Sequence, residues 1–250
     1  MNIICPKPKC LPSIKIYLFL LKLNNYEPGL VKTIKKILQN ISYSFFETDF
    51  KEICGYRFKD VKNLSKIYLP NSLEKINFGA FLNCTNLREV YFPEGLTLIG
   101  DNAFRECVNL QKVYFSEGLE KIGTWAFENC TNLKVLKLPM GLKTIGGWAF
   151  RYCVALEKVY LPEGLREIGD NAFFRCKNLK EICLPESLET LGKASFYECL
   201  NLERVCLPQN LKTIDYGVFL GCLNLKEIRM PLNLTSVDEK AFYNCPYLNF

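Results

Sequence analysis

The chain has 250 residues, of which 49% are apolar, and its formal net charge is +6. It contains no histidine, which removes the commonest general base, the usual base of a catalytic triad and the commonest metal ligand. Seven lysines and one glutamate within residues 1–40 account for the excess charge, so the remainder is neutral. A neutral body argues against nucleic acid as a partner.

The first stretch of the chain contains Cys5, Cys10 and an apolar run from Ile14 to Leu23. This run is too short to span a bilayer. The residues after it do not form the small-residue cleavage site of a signal peptide. We predict that the run packs against the rest of the molecule as a helix or a strand.

Residues 30–41 have the pattern of an amphipathic helix. Apolar side chains recur at Leu30, Ile34 and Ile41, and lysines occupy the other face. A helix placed here would cover the first coil of the array that follows. We therefore predict an N-terminal basic helical cap over residues 1–46.

A 23-residue period organises the chain from residue 47 to residue 250. One frame without insertions aligns a phenylalanine in each repeat and a cysteine three residues later. The phenylalanines are Phe81, Phe104, Phe127, Phe150, Phe173, Phe196, Phe219 and Phe242. The cysteines are Cys84, Cys107, Cys130, Cys153, Cys176, Cys199, Cys222 and Cys245. A degenerate first repeat precedes them, with Val61 at the cysteine position. Only a repeat architecture explains so strict a period.

Each repeat is predicted to form one coil of a solenoid. Ile67, Tyr68 and Leu69 alternate in polarity, which fits a short strand whose first and third side chains point inward. Pro93 and Gly95 match a type I turn with proline at i+1 and glycine at i+3. A second short extended piece follows, and the phenylalanine–cysteine segment suits a single helical or 3₁₀ turn. Successive strands would then stack in parallel, about 4.8 Å apart.

The repeated phrase LPEGLREIGDNAF-x-x-C-x-x-L resembles the leucine-rich repeats of the BspA-like class, over about Phe50 to Phe250. The resemblance implies an α/β-type solenoid: a right-handed coil with a parallel β-sheet, mostly strands and turns, with about eight repeats after the degenerate one. It also implies adhesion to host or matrix proteins and protein–protein contacts, often at cell surfaces. In two respects the sequence departs from this expectation, because we identify neither a secretion signal nor an obvious anchor.

The cysteines of the repeats are predicted to form a ladder of buried thiols that act as small apolar residues. Residues at the same point of stacked coils project side by side, whereas a disulfide needs Cβ atoms about 3.8 Å apart. A spacing of 23 residues does not fit a zinc site, and Cys5 with Cys10 would lack further ligands. Many unpaired thiols favour a reducing compartment, so we expect a cytoplasmic protein. The family resemblance offers the cell surface as the alternative.

The outward-facing strand positions are the predicted partner-binding residues. One row contains four tyrosines, a residue type enriched at interfaces. The row beside it largely alternates in charge, which cross-strand pairing on a solvated sheet would also explain. The predicted partner-binding residues are Tyr68, Tyr91, Tyr114, Tyr160, Lys137, Arg229, Lys112 and Lys158.

The sequence gives little support to catalysis. Ser195 has no histidine partner and occupies an alanine position of the repeat, and the carboxylates are scattered over turns and faces. We therefore predict no catalytic residue, no metal site and no cofactor.

The array stops abruptly after Leu248, at the leucine position of the last repeat. No polar capping repeat covers this coil, so the C-terminus is predicted to be uncapped. Either the array is a fragment of a longer one, or another surface covers the open coil, as in end-to-end self-association.

These observations together predict a non-enzymatic scaffold that recognises a protein partner through its exposed strand face. One alternative is a cell-surface or secreted adhesin of the BspA-like type. Another is an adaptor whose basic segment, residues 14–40, docks it to a membrane or to another protein.

Overall fold

The computed structural model describes residues 43–45 and 50–248. In these residues each repeat contributes two short strands joined by turns, and no helix is present. Because the strands of successive repeats pair in parallel, the molecule is a β-solenoid of about eight coils. The predicted solenoid with a parallel sheet is confirmed.

The first strand of each repeat is three residues long. These strands are β1 Tyr43–Phe45, β3 Lys66–Tyr68, β5 Glu89–Tyr91, β7 Lys112–Tyr114, β9 Val135–Lys137, β11 Lys158–Tyr160, β13 Glu181–Cys183, β15 Arg204–Cys206 and β17 Glu227–Arg229.

The second strand of each repeat is two residues long. These strands are β2 Glu52–Ile53, β4 Lys75–Ile76, β6 Leu98–Ile99, β8 Lys121–Ile122, β10 Thr144–Ile145, β12 Glu167–Ile168, β14 Thr190–Leu191, β16 Thr213–Ile214 and β18 Ser236–Val237.

Equivalent residues of neighbouring coils pair with each other, as in Tyr68 with Tyr91 and Tyr91 with Tyr114. The longer strands form two sheets, one from β1 to β7 and one from β9 to β17, and β7 does not pair with β9. The shorter strands form a seven-stranded sheet from β2 to β14 and a separate pair, β16 and β18. Each series of strands is thus interrupted once, the longer strands between β7 and β9 and the shorter strands between β14 and β16.

A column of phenylalanines fills the interior. The rings from Phe81 to Phe242 stack face to face, with neighbouring centroids 5.0–5.7 Å apart. Those from Phe81 to Phe219 are completely buried, while Phe242 in the last coil is partly buried. Burying one such side chain contributes about 1.5–3 kcal/mol. The phenylalanines of the repeats therefore form a column that links every coil from Phe81 to Phe242 with the next.

The cysteine ladder lies beside the phenylalanines and consists of free thiols. Each thiol also donates a hydrogen bond to the phenylalanine carbonyl oxygen of the preceding coil, at 3.0–3.4 Å. For example, Cys107 donates to Phe81. The prediction treated these residues as small apolar groups, whereas their S–H groups also bridge adjacent coils.

The turn after each first strand lies one residue later than predicted. The Leu96 N–H donates to the carbonyl oxygen of Pro93 at 3.1 Å, so proline is at position i and Gly95 at i+2. The same bond joins Leu73 to Pro70 and Leu142 to Pro139. The prediction of proline at i+1 was therefore wrong, because the proline carbonyl accepts the hydrogen bond that closes the turn.

The phenylalanine–cysteine segment is not a helical or 3₁₀ turn. Along this segment, N–H groups that donate within their own coil alternate with N–H groups that donate to the next coil. For example, the Cys107 N–H donates to the Phe104 oxygen of the same coil, and the Phe104 N–H donates to the Ala126 oxygen of the next coil. Two residues per coil, such as Asn102 and Glu106, have φ near +60°. These left-handed residues reverse the twist after each turn, so a helix cannot propagate.

The predicted helical cap lies outside the described residues, apart from β1. Residues 43–45 fall inside the segment assigned to the cap, yet they pair in register with β3. The sheet therefore begins before residue 47, where the array was predicted to start.

Candidate protein-binding face

The outward-facing side chains of the longer strands form a surface that we call the strand face. Along each strand the middle residue points inward and its two neighbours point outward. Ile67 and Val90 are fully buried, for example, and Tyr68 and Tyr91 beside them reach the surface. The predicted partner-binding residues all lie on this face.

Three predicted residues form a continuous aromatic stack at one end of the strand face. The ring centroids of Tyr68 and Tyr91 are 4.4 Å apart, and those of Tyr91 and Tyr114 are 4.3 Å apart. Tyr114 exposes 43% of its surface. The in-register pairing of β3, β5 and β7 sets this spacing, so the stack is a rigid aromatic strip and not three independent side chains.

A hydrogen-bonded ion pair holds the middle of this strip. The Tyr91 hydroxyl donates to Glu89 Oε2 at 2.9 Å, and Lys66 Nζ lies 2.9 Å from the same oxygen. The hydrogen bond from Lys66, followed by that from Tyr91, lowers the pKa of Glu89. The hydrogen bond that Tyr91 donates to Glu89 in turn raises the pKa of the Tyr91 hydroxyl. Glu89 is therefore ionised at neutral pH and fixes the orientation of the Tyr91 hydroxyl.

Cross-strand pairing explains part of the charged row. Besides Lys66 with Glu89, Arg204 lies 3.2 Å from Glu181. Lys112 and Lys158 are exposed and form no ion pair with any described residue. Two of the predicted binding cations are therefore available to a partner.

The other predicted residues lie beyond the interruption between β7 and β9. Lys137 Nζ is 5.8 Å from the ring centroid of Tyr160, within the range of a cation–π contact. Tyr160 is 51% exposed. Arg229 is also exposed and pairs in register with Cys206. The predicted row is thus divided into a tyrosine stack and a separate mixed group.

Two exposed cysteines occupy the row between Tyr160 and Arg229. Cys183 and Cys206 pair in register on β13 and β15, and their Sγ atoms are 2.6 Å apart. The expectation that stacked cysteines project side by side is wrong for this pair, because these two side chains turn toward each other.

Sequence reasoning missed a second aromatic surface, on the turns that contain the left-handed residues. Trp125 and Trp148 stack with centroids 5.3 Å apart, and Phe174 stacks on Tyr197 at 4.7 Å. The Arg151 guanidinium lies 4.5 Å from the ring centroid of Tyr152. The sequence contains the signal for this surface, because the two residues of each stacked pair are 23 residues apart. Only the strand positions were compared between repeats in this way, so the aromatic residues of the turns were missed.

A buried carboxylate beside this surface is held by two arginines. Glu128 Oε2 lies 2.7 Å from Arg105 Nε, and Glu128 Oε1 accepts a hydrogen bond from Arg151 at 3.1 Å. The contact with Arg105 is close but lacks hydrogen-bond geometry, so it acts as a charge pair. The Glu128 side chain is only 3% exposed. This group joins three consecutive coils.

Nothing in the described residues points to catalysis. Over residues 43–45 and 50–248, no group of three or more potential metal-ligating side chains occurs. Ser195 is fully buried at its alanine position, and its Oγ has no hydrogen-bond partner among the described residues. Over the same residues no helix has the length and apolar character needed to cross a membrane.

Comparison with protein families identifies the repeat. The model described as "BspA type Leucine rich repeat region (6 copies)" matches residues 51–162 and 143–250. The chain belongs to the BspA-type leucine-rich repeat family. Solenoids of this family are generally non-enzymatic scaffolds, they typically bind proteins, and they typically occur at cell surfaces or are secreted. No curated protein matches the chain.

Solved structures similar to the chain include leucine-rich repeat proteins from bacteria. The leucine-rich repeat protein of T. pallidum is 27% identical, with a TM-score of 0.56, and the match covers 74% of this chain and 78% of that one. A leucine-rich repeat protein from Bacteroides ovatus is 25% identical, with a TM-score of 0.53 and coverage of 82% and 71%. The pneumococcal vaccine antigen PcpA is 28% identical, with a TM-score of 0.50 and coverage of 80% and 58%.

Proposed function

We propose that this BspA-type protein is a non-enzymatic scaffold that recognises a protein partner through its strand face. The tyrosine stack of Tyr68, Tyr91 and Tyr114 is the observation that carries the proposal. Exposed tyrosines give a large contact area at low entropic cost, and they are enriched among the residues that dominate binding energy. The family's usual role as a protein-binding scaffold supports the same conclusion.

The surroundings of the stack suit protein recognition. Stacking at 4.3–4.4 Å and the Tyr91–Glu89 hydrogen bond restrict the rings before any partner arrives. A preorganised surface loses less conformational entropy on binding than a flexible one. Lys112 and Lys158 lie on the neighbouring row, so a partner that presents carboxylates beside apolar groups fits this face best.

Capture of partners from the native source tests the proposal. The immobilised full chain is compared with the double variant Tyr91→Ser, Tyr114→Ser. A matched control, Tyr216→Ser with Tyr243→Ser, removes two exposed tyrosines that lie outside the strand face. We expect proteins captured by the wild type and by the control to be lost from the strand-face variant. Equal capture by all three forms would contradict the proposal.

An adhesin at the cell surface is the second candidate function. The similarity to the pneumococcal vaccine antigen and the usual location of the family favour it. The ladder thiols do not argue for the cytoplasm, because buried thiols remain protected from oxidants in any compartment. Cell fractionation of the native organism decides between the two locations: protein found only in the cytosol would exclude the adhesin.

The adaptor hypothesis concerns residues 14–40, which lie outside the described residues. Lipid co-sedimentation of the intact chain and of a chain starting at Asn40 tests it. Equal sedimentation of the two forms would exclude docking to membranes through this segment.

Self-association through the last coil is a separate proposal. Leu232, Val237 and Tyr247 are exposed there, and an apolar coil end can stack on another copy. Sedimentation velocity over a wide concentration range tests it, and a monomer throughout would exclude it.

Among macromolecular partners, we expect protein and not nucleic acid, because the repeat body is neutral.

A further inference from the structure

Two cysteines of the strand face differ from the ladder cysteines of the repeats. Cys183 and Cys206 are both exposed, whereas the ladder cysteines are buried, except for the half-buried Cys245. They occupy the outward row of β13 and β15 and pair in register. A small reagent in solvent can therefore reach both sulfurs at once.

The geometry of this pair is close to that of a disulfide. The sulfurs are 2.6 Å apart, nearer than the roughly 3.5–4.0 Å at which non-bonded heavy atoms normally rest. Adjacent parallel strands lie about 4.8 Å apart, within the roughly 4.4–6.8 Å that disulfides span between Cα atoms. A bond between the two sulfurs therefore requires small side-chain movements and no change of strand register.

We propose that Cys183 and Cys206 form a reversible dithiol–disulfide site on the strand face, oxidised by small-molecule disulfides of the glutathione class. The Cys183 thiol donates its hydrogen to Cys206 Sγ, which leaves Cys206 as the sulfur better prepared to attack. Arg229, the register partner of Cys206 on β17, adds an exposed cation beside the pair. A peptide disulfide that carries carboxylates suits this charge.

Oxidation takes place in two exchange steps. The Cys206 thiolate attacks one sulfur of glutathione disulfide, the S–S bond of the reagent breaks, and one glutathione thiolate leaves and takes up a proton. The Cys183 thiolate then attacks the Cys206 sulfur of the mixed disulfide and releases the second glutathione. The two protein thiols together lose two electrons and two protons, and one glutathione disulfide becomes two glutathione thiols.

The second step should depend strongly on pH. In the reduced pair, partial burial and then the hydrogen bond to Cys206 raise the pKa of the Cys183 thiol to about 11, with smaller and opposed effects of the neighbouring charges of Glu181 and Arg204. Partial burial also acts on Cys183 in the mixed disulfide, so its thiolate fraction should increase about tenfold for each pH unit above neutrality until the pKa is reached. The mixed disulfide should be longest-lived near pH 7 and should close faster as the pH rises.

Peptide mapping of the full chain tests the site. The reduced protein is freed of reductant, incubated with oxidised glutathione, blocked with N-ethylmaleimide and digested with trypsin. Cleavage after Lys180, Lys193, Arg204 and Lys212 places the two cysteines on separate peptides, 181–193 and 205–212. We expect these two peptides to be joined by a disulfide that reductant removes. Blocked cysteines on both peptides, or a separate glutathione on each, would overturn the proposal.

Single substitutions provide the matched controls. Cys183→Ser and Cys206→Ser should each stop the reaction at a mixed glutathione disulfide on the remaining exposed cysteine. Because both positions are exposed, the variants should keep the thermal unfolding of the wild type. Cys176→Ala removes a buried ladder thiol and should leave the cross-linked peptides in place. Persistence of peptide 205–212 in a cross-linked form in the Cys183→Ser variant would show a different pairing and would also overturn the proposal.

Discussion

Cys153 donates its thiol hydrogen to the carbonyl oxygen of Phe127, 3.3 Å away in the preceding coil. The two residues belong to the two ladders that run through the interior. The relationship is repeated from coil to coil, so each thiol joins the packing of one coil to the backbone of another. Several measurable consequences depend on contacts of this kind between coils.

Alkaline pH should destabilise the array through these thiols. Burial raises the pKa of Cys153 from an ordinary value of 9.0 to about 12. Between these values the unfolded chain has lost the proton and the folded chain still holds it. The free energy of unfolding should therefore fall with rising pH, by up to about 1.4 kcal/mol per pH unit for each such thiol. Below about pH 9 the thiol contribution is fully present.

Cys153→Ala isolates the contribution of one thiol to this pH dependence. Urea unfolding at a series of pH values from 7.5 to 10.5 should give a shallower decline for the variant than for the wild type. Parallel declines for the two proteins would contradict the assignment of the effect to the buried ladder.

The buried carboxylate of Glu128 should contribute more to stability than a matched exposed one. Glu128→Gln removes the charge shared by Arg105 and Arg151 at a position where the side chain is 3% exposed. We expect a loss of about 3 kcal/mol in the free energy of unfolding, at the lower end of the cost of breaking a buried pair.

Glu189→Gln is the control for this change. Glu189 pairs with Arg166 of the preceding coil at 3.2 Å, but its side chain is 66% exposed. Removing this pair should cost no more than about 0.5 kcal/mol, as for other exposed pairs. The free energies of unfolding are measured by chemical denaturation. Equal losses in the two variants would show that burial does not increase the contribution of an ion pair to stability.

Gly146 should not tolerate a side chain. An added Cβ would lie 2.7 Å from both Gly123 C and Thr124 N, which are backbone atoms of the preceding coil. Gly146→Ala should therefore cost about 1–3 kcal/mol as an overpacked site. Gly147→Ala, whose Cβ would lie 3.2 Å from the Asp170 oxygen, should cost less. A smaller loss at Gly146 than at Gly147 in thermal unfolding would contradict this account of coil spacing.

Ala194 should be stabilised by replacement with glycine. Its φ of 52° lies in the left-handed region, which costs an L-residue roughly 1–2 kcal/mol. Relief of this strain should outweigh the greater flexibility of glycine in the unfolded chain by up to about 1 kcal/mol. Ala172→Gly, at a buried position outside the left-handed residues, should instead lower stability by about 0.5–1 kcal/mol. A loss of stability in both variants would show that the strain at Ala194 is not significant.

Much of the interior could be predicted because the repeat places identical side chains in identical environments. Phe104 and Phe127 must contact each other once the coils stack, and Tyr91 must point outward once Val90 points inward. The tyrosine row of the candidate site followed from the same alternation. The spacing of the residues was sufficient for these predictions.

Other features depend on backbone bonds that the pattern of residue types does not specify. The position of the turn at Pro93 depends on which carbonyl oxygen accepts the hydrogen bond that closes it. A turn with proline at i and a turn with proline at i+1 contain almost the same residues, so residue types do not distinguish them. Left-handed positions hold asparagine, glutamate and tryptophan alike, so composition gave no signal at Glu106 or Trp125. The interruption between β7 and β9, which divides the strand face, was also not predictable from residue type.

The affinity of the first captured partner is the most direct test of recognition through the strand face. Its dissociation constant is measured with the wild type, with Tyr91→Ser, Tyr114→Ser, and with the Tyr216→Ser, Tyr243→Ser control. Loss of two central tyrosines should weaken binding by about 30-fold or more, the effect of removing residues that dominate an interface. The control should bind as the wild type does. Unchanged affinity in the strand-face variant, with its thermal unfolding intact, would contradict the central claim.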